Sequence, residues 1–296
     1  MSEPTPRVLA FLNEVAGGRR LLETLRERTT DGGASVAVAA PQNQPVAGQI
    51  VDQDEVREAA QSRVEVTQAV LAEFGVDAVG VVMDPDPPLA LDDAVRAFSP
   101  DEILISCLAE TRFGLMRRDL VEWAKSRYEV PVVHIPVRIE DDAVRWDVTH
   151  TLVVATQTVD SDDLLERLKS RAAERPHRYT IISPRSGRVT REEVCDRLAR
   201  ALATLYKAEI DATGQPMSPE PAAAIENAIE HYRIDEILIS TFAGEQSKWL
   251  QEGLMEKVKE MASGKPVEHV EAGRGTAAAA PTESPVVSSQ SSGERV

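Results

Sequence analysis

Short runs of apolar residues alternate along the chain with longer stretches whose apolar positions recur every three or four residues. In the first half, Val8–Leu12, Ser35–Ala40, Ala78–Met83, Glu102–Ser106 and Val130–Ile135 predict five strands. Between them, four amphipathic helices are predicted: Gly18–Arg28, Asp54–Phe74, a segment with Leu91, Ala94, Val95 and Phe98 at i, i+3, i+4 and i+7, and Leu115–Arg127. The second half repeats the order, with strands Leu152–Thr156, Tyr179–Ser183, a weak one near Ala208–Asp211, Glu236–Thr241 and Val267–Val270. Its helices are Asp162–Ala173, Glu192–Tyr206, Ala222–Tyr232 and Lys248–Ala262. Strands that are apolar on both faces and separated by amphipathic helices belong in a parallel sheet covered on both sides. Each half therefore predicts a doubly wound α/β domain with a five-stranded parallel sheet.

The two halves are copies. Ala90–Ser106 matches Ala224–Ser240 at a constant offset of 134, with eight of seventeen positions identical and pairs such as Leu91/Ile225 and Phe98/Tyr232 alike in chemistry. The match continues through Met116/Leu250 and Leu120/Leu254, takes one inserted residue, and resumes at Pro131 against Pro266. Upstream, Leu21, Leu22 and Leu25 match Leu164, Leu165 and Leu168 at an offset of 143, so the second copy is shorter in its middle. The expected organisation is a first domain over residues 1–135, a charged linker over 136–149, a second domain over 150–270, and a disordered Ala/Ser/Pro-rich tail over 271–296. The two domains are expected to pack as a pseudo-twofold pair.

Charge narrows the choice of partners. With 33 basic and 49 acidic side chains the 296-residue chain carries a formal charge of −16, which repels phosphate backbones and anionic lipid. Neither nucleic acid nor a membrane is therefore an expected partner. No run approaches the length of a bilayer span, and the apolar stretch after the amino terminus is too short for a secretory signal, so a cytoplasmic location is expected. Cys107 and Cys195 lie far apart with no CxxC and no histidine near them in sequence, and both read as small buried apolar residues. The five histidines lack metal-ligand spacing; His134 and His269 end the last strand of each copy at equivalent places, which points to a repeated structural role.

A unit of this length that ends in an Asp-Glu-Ile-Leu-Ile-Ser strand, an irregular loop, a helix and a Pro-Val-led strand resembles the universal stress protein family. The resemblance covers both halves and implies a Rossmann-like fold akin to adenine-nucleotide hydrolases, domains that pair, and in one subclass an ATP loop of Gly, two residues, Gly, nine residues, then Gly and Ser/Thr. Glycines there let backbone N–H groups approach phosphates. At that spacing the second copy has Ser240, Ala243, Gly253 and Leu254, and the first has Ser106, Ala109, Asp119 and Leu120. Where nucleotide binders of the family carry an Asp, near the end of the first strand, stand Asn13 and Gln157. The resemblance thus points to ATP in the second domain only, held by Gln157, Ser240, Thr241, Gly244, Ser247 and Gly253, at the carboxyl ends of the strands.

No GxSxG, GxxxxGK[ST] or strand-following GxGxxG is present, and no catalytic residue is nominated. Asp84 and Asp86 after the third strand resemble part of a phosphoacceptor cluster, but prolines surround them and the second copy lacks them. Two functional readings follow: a non-enzymatic stress-response or regulatory protein with an adenine nucleotide in its second domain, or a nucleotide-independent scaffold that meets a protein partner. Homo-oligomerisation is compatible with both. A nucleotide hydrolase ranks third because it lacks a base and an electrophile.

Overall fold

In a computed structural model, the described residues are 5–13, 18–43, 53–108, 115–137, 148–184, 189–217, 221–232, 234–243 and 253–273. The first half runs β1 (Arg7–Leu12), α1 (Arg19–Gly32), β2 (Ser35–Pro41), α2 (Gln53–Glu73), β3 (Ala78–Met83), α3 (Pro87–Phe98), β4 (Glu102–Leu108), α4 (Leu115–Arg127) and β5 (Val132–Val137). The second runs β6 (Thr149–Val154), α5 (Asp162–Glu174), β7 (His177–Pro184), α6 (Arg191–Lys207), β8 (Ala212–Met217), α7 (Pro221–His231), β9 (Glu236–Phe242), α8 (Leu254–Met261) and β10 (Val267–Ala272). The sheets are ordered β3-β2-β1-β4-β5 and β10-β9-β6-β7-β8, and every pairing is parallel. Both are therefore doubly wound, with the strand order reversing beside β1 and beside β6. Most of the linker and the tail beyond Gly273 lie outside the described residues.

Local chemistry explains the boundaries. Asp86 caps α3, its carboxylate accepting the Leu89 N–H at 3.0 Å ahead of Pro87 and Pro88, and Asp84 accepts the Asp86 N–H at 2.9 Å. The two carboxylates suspected of phosphoacceptor chemistry thus shape a turn. Thr190 caps α6 by accepting the Glu193 N–H, and Ser161 caps α5, whose first turn carries Asp162 and Asp163.

One element moves. The weak strand expected near Ala208–Asp211 lies at Ala212–Met217, because Ala208–Ile210 close the end of α6 instead. Glu209 takes a left-handed φ of 58°, its N–H reaches the Tyr206 carbonyl, and the Ile210 N–H reaches that of Leu205, which is a Schellman turn. Gly75 and Val76 make the same two bonds, to Ala72 and Leu71, at the end of α2. The offset of 134 maps one turn onto the other and β3 onto β8.

The helices on one face of each sheet meet in the middle of the molecule. Leu9 and Phe11 of β1 pack with Ala90, Leu91 and Leu120 on one face, while Leu152 and Val154 of β6 pack with Ile225, Leu254 and Val258. The opposite faces share a single apolar core, in which Val8, Leu25 and Leu71 are joined to Val153, Leu168 and Leu202 through α2 and α6. Polar contacts close over it. Arg191 makes a two-point pair with Glu65 at 3.1 and 3.0 Å, Arg19 reaches Asp211 at 2.9 Å, and the Phe74 ring lies within 5.3 Å of Arg26 and 5.2 Å of Lys207. With a core continuous across both halves, urea unfolding is expected to give one transition, coincident by circular dichroism and tryptophan fluorescence. Two separated transitions would mean that the α2–α6 junction does not couple the domains.

Candidate functional site

In an open parallel sheet, ligands sit outside the carboxyl ends of the strands where the order reverses. In the second domain that place lies between β6 and β9, and the turn leaving β6 folds across it. Thr156, 3% exposed, donates to the Pro184 carbonyl at the end of β7 (2.6 Å), while Thr158, 2% exposed, donates to the Ser240 carbonyl on β9 (3.1 Å). Val159 is wholly buried in the shared core. Asp160 is held from the side by Arg197 (3.2 Å) and Arg200 (2.8 Å) on α6. The turn is thereby tied to both neighbours of β6.

Those of the residues expected to bind ATP that are described lie on three elements: the turn after β6, β9 and the start of α8. Gln157 is exposed, and its carbonyl accepts from Arg197. By the offset of 143, the counterpart of Asn13 is Thr156, one place earlier, and it is Thr156 that is buried and bonded across the strand ends. Ser240 and Thr241 follow one another on β9 and so point to opposite faces. The Ser240 hydroxyl is buried with no hydrogen-bond partner among the described residues, as is that of its counterpart Ser106. The Thr241 hydroxyl meets His269 Nε2 at 2.8 Å. Gly253, at φ 70°, leads into α8, and among the described residues a Cβ there would approach only Glu256 Oε2, at 3.7 Å. The left-handed backbone there favours glycine. Gly244 and Ser247 lie outside the described residues.

The first domain builds its strand ends differently. The Asn13 N–H donates to the Ser106 carbonyl (2.9 Å), and its side-chain oxygen accepts from Asn43 (3.1 Å). Arg63 on α2, 1% exposed, donates to the Pro41 carbonyl (2.7 Å) and to Asn43 (3.1 Å). Arg63 falls four residues before Thr67 and seven before Val70, on the face that α2 buries, so it is the residue type and not the periodicity that conceals a buried guanidinium there.

The sequence also conceals a thiol–imidazole contact. Cys107 is buried as expected, but its sulfur lies 3.0 Å from Nε2 of His134 on the adjacent strand. Thr241 and His269 form the equivalent pair in the second domain. Cys195 is also buried, beside Glu65, and burial together with that carboxylate pushes its thiol up to about 12. It borders a cleft of about 480 Å³ at the domain junction, lined also by Gln68, Asp77, Arg191 and Glu192, at the amino end of β3 and not at the carboxyl ends of the strands. Among the described residues no three His, Cys, Asp or Glu side chains gather as metal ligands, and no helix is long and apolar enough to cross a membrane.

No protein-family model and no curated protein matches the chain. Among solved structures, a universal stress protein from Archaeoglobus fulgidus DSM 4304 is similar at 19% identity, with 90% of this chain and 97% of that chain covered and a TM-score of 0.32. A glycosyltransferase from Rickettsia africae ESF-5 is similar at 10% identity, covering 92% and 80%, with a TM-score of 0.29. At TM-scores this low, neither likeness bears on what the chain does. By its own strand order, the chain is a tandem pair of doubly wound, all-parallel α/β domains.

Proposed function

We propose that the chain is a non-enzymatic regulatory protein of the universal stress type that works by meeting a protein partner, without a nucleotide in its second domain. The observation that carries this reading is the turn after β6. Thr156 and Thr158 bond to the strands on either side, and Val159 is buried beneath them, in the crevice where a nucleotide would sit. A ligand there would have to break both hydrogen bonds and expose Val159 before making contacts of its own. The charge of −16 adds to the opposition against a polyphosphate and favours a partner that presents a basic face.

A second reading keeps an adenine nucleotide in the second domain, held by Gln157, Ser240, Thr241, Gly244, Ser247 and Gly253. It is favoured by the left-handed backbone at Gly253 and by the buried hydroxyl of Ser240, which has no hydrogen-bond partner among the described residues. One experiment separates the two. Freshly purified full-length protein is denatured, its supernatant is separated by ion-pair chromatography, and the stripped protein is titrated with Mg-ATP by calorimetry. The expected result is no nucleotide and no heat from a folded chain. Near one nucleotide per chain, or micromolar binding, would overturn the first reading in favour of the second. Turnover of ATP above the buffer rate would overturn both.

A further inference from the structure

We propose that Cys107 and His134 form a thiol–imidazole pair that makes Cys107 a site of oxidation by hydroperoxides. The inference is independent of whether any nucleotide binds. Cys107 sits near the carboxyl end of β4 and His134 on β5, the edge strand of the first sheet. Twenty-seven residues apart in sequence, they are brought to an Sγ···Nε2 distance of 3.0 Å by the parallel register that sets Ile105 against His134. The second domain has the same arrangement, with Thr241 and His269 at 2.8 Å. The backbone therefore builds the pair in both copies, and the first copy differs in placing sulfur where the second has a hydroxyl. A peroxide does not oxidise a hydroxyl oxygen, whereas a thiol in the same place can give up its proton to the imidazole and react as the thiolate.

Cys107 is 3% exposed, and its imidazole partner His134 is exposed. Burial alone disfavours a thiolate, and the adjacent imidazole offsets this by taking the proton. Cys195 is the internal contrast, because its sulfur faces the Glu65 carboxylate, which opposes ionisation.

The step balances as follows. The Cys107 proton passes to His134 Nε2. The thiolate attacks one peroxide oxygen, forming an S–O bond as the O–O bond breaks. The departing alkoxide or hydroxide then takes the imidazolium proton. Sulfur is oxidised by two electrons to the sulfenic acid, and the peroxide is reduced to an alcohol or water. The only other cysteine is on α6, buried in the other domain, so the product is a sulfenic acid and not an internal disulfide.

The test treats the full chain with equimolar hydrogen peroxide at neutral pH, quenches it, and maps oxygen uptake by peptide mass. Cys107 is expected to react at least roughly tenfold faster than Cys195, and His134→Gln to slow it roughly tenfold with Cys195 unchanged. Cys107→Thr, which copies the second domain, should remove the uptake without moving Tm. Equal rates at the two cysteines, or an unaltered rate in His134→Gln, would overturn the proposal. If His134→Gln fails to fold, ultraviolet thiolate absorbance decides. Its presence in the wild type and loss in Cys107→Thr supports the pair, and its absence from both overturns it.

Discussion

Replacing Arg171 with alanine is expected to destabilise the protein by about 3 kcal/mol, against about 1 kcal/mol for Arg28→Ala, although the two arginines occupy equivalent positions. The offset of 143 maps Arg28 onto Arg171, and the offset of 134 maps Glu102 onto Glu236. Both pairs tie the helix after the first strand to the start of the fourth. Arg28 is 41% exposed and meets Glu102 at 2.8 and 3.1 Å, its one carboxylate partner among the described residues, where solvent screens the pair. Arg171 is 14% exposed and bridges Glu236 to Glu268, within a cluster that also holds Arg167, Arg175, His177 and Thr151. Its removal leaves Glu236 buried with weaker partners.

Acid should shrink the difference. Burial works to raise the Glu268 carboxyl, but the hydrogen bond from Arg167 and the charges of Arg171 and Arg167 outweigh it and hold it below the usual carboxylate range. A carboxyl depressed in the folded state contributes its full stability above the unfolded value, near 4.3, and loses it as pH falls through the folded one. Urea midpoints at neutral pH and below about pH 4 check both parts. Equal losses at Arg28 and Arg171 would mean that the cluster adds nothing to a single pair.

Adding one methyl group at Gly80 is expected to cost about 3 kcal/mol, and at its counterpart Gly214 about 1 to 2 kcal/mol. A Cβ on Gly80 would fall 2.3 Å from both Val64 Cγ1 and Gln68 Oε1. Val64 is 1% exposed and β-branched, with little rotamer freedom, and displacing Gln68 breaks its 2.8 Å bond to the Ala78 carbonyl. At Gly214 the first obstacle is Leu198 Cδ1 at 2.8 Å, the end of a side chain that can turn, with the Ile181 carbonyl at 3.3 Å. A shift of α2 away from β3 would also loosen α2 against α6, so Gly80→Ala should reduce the cooperativity of unfolding as well as its midpoint. A wild-type midpoint in Gly80→Ala would show that α2 can stand off from β3 at no cost.

The strands and helices were legible because β-branched and aliphatic runs on the central strands leave few alternatives, and because a second copy checks the first. β8 escaped because Ala-Thr-Gly-Gln-Pro-Met has almost no strand signal of its own, whereas Ala208–Asp211 contains an isoleucine that in fact closes a helix. The offset of 134 that aligned Ser106 with Ser240 would have placed β8 at Ala212 had it been carried through that segment. The candidate site was less legible, since its outcome depends on where a turn goes after leaving a strand. Nothing local distinguishes Gln157, which faces solvent, from Thr156 and Thr158, which bond across the strand ends. The Cys107–His134 contact depends on strand register, and its one sequence signal was the matching placement of His134 and His269.

The contacts that join the two halves are remote along the chain: Glu65 and Arg191 are 126 residues apart, and Arg19 and Asp211 are 192 apart. At ribosomal speeds of about 5 to 20 residues per second, α2 leaves the ribosome roughly ten seconds before α6 exists to cover it. During that interval the newly made first domain shows an apolar face whose proper cover has not been synthesised, and neighbouring chains on the same message show the same face. Each nascent copy therefore has to reach its own second half before it meets a sibling, and the net negative charge that every copy carries slows that wrong encounter.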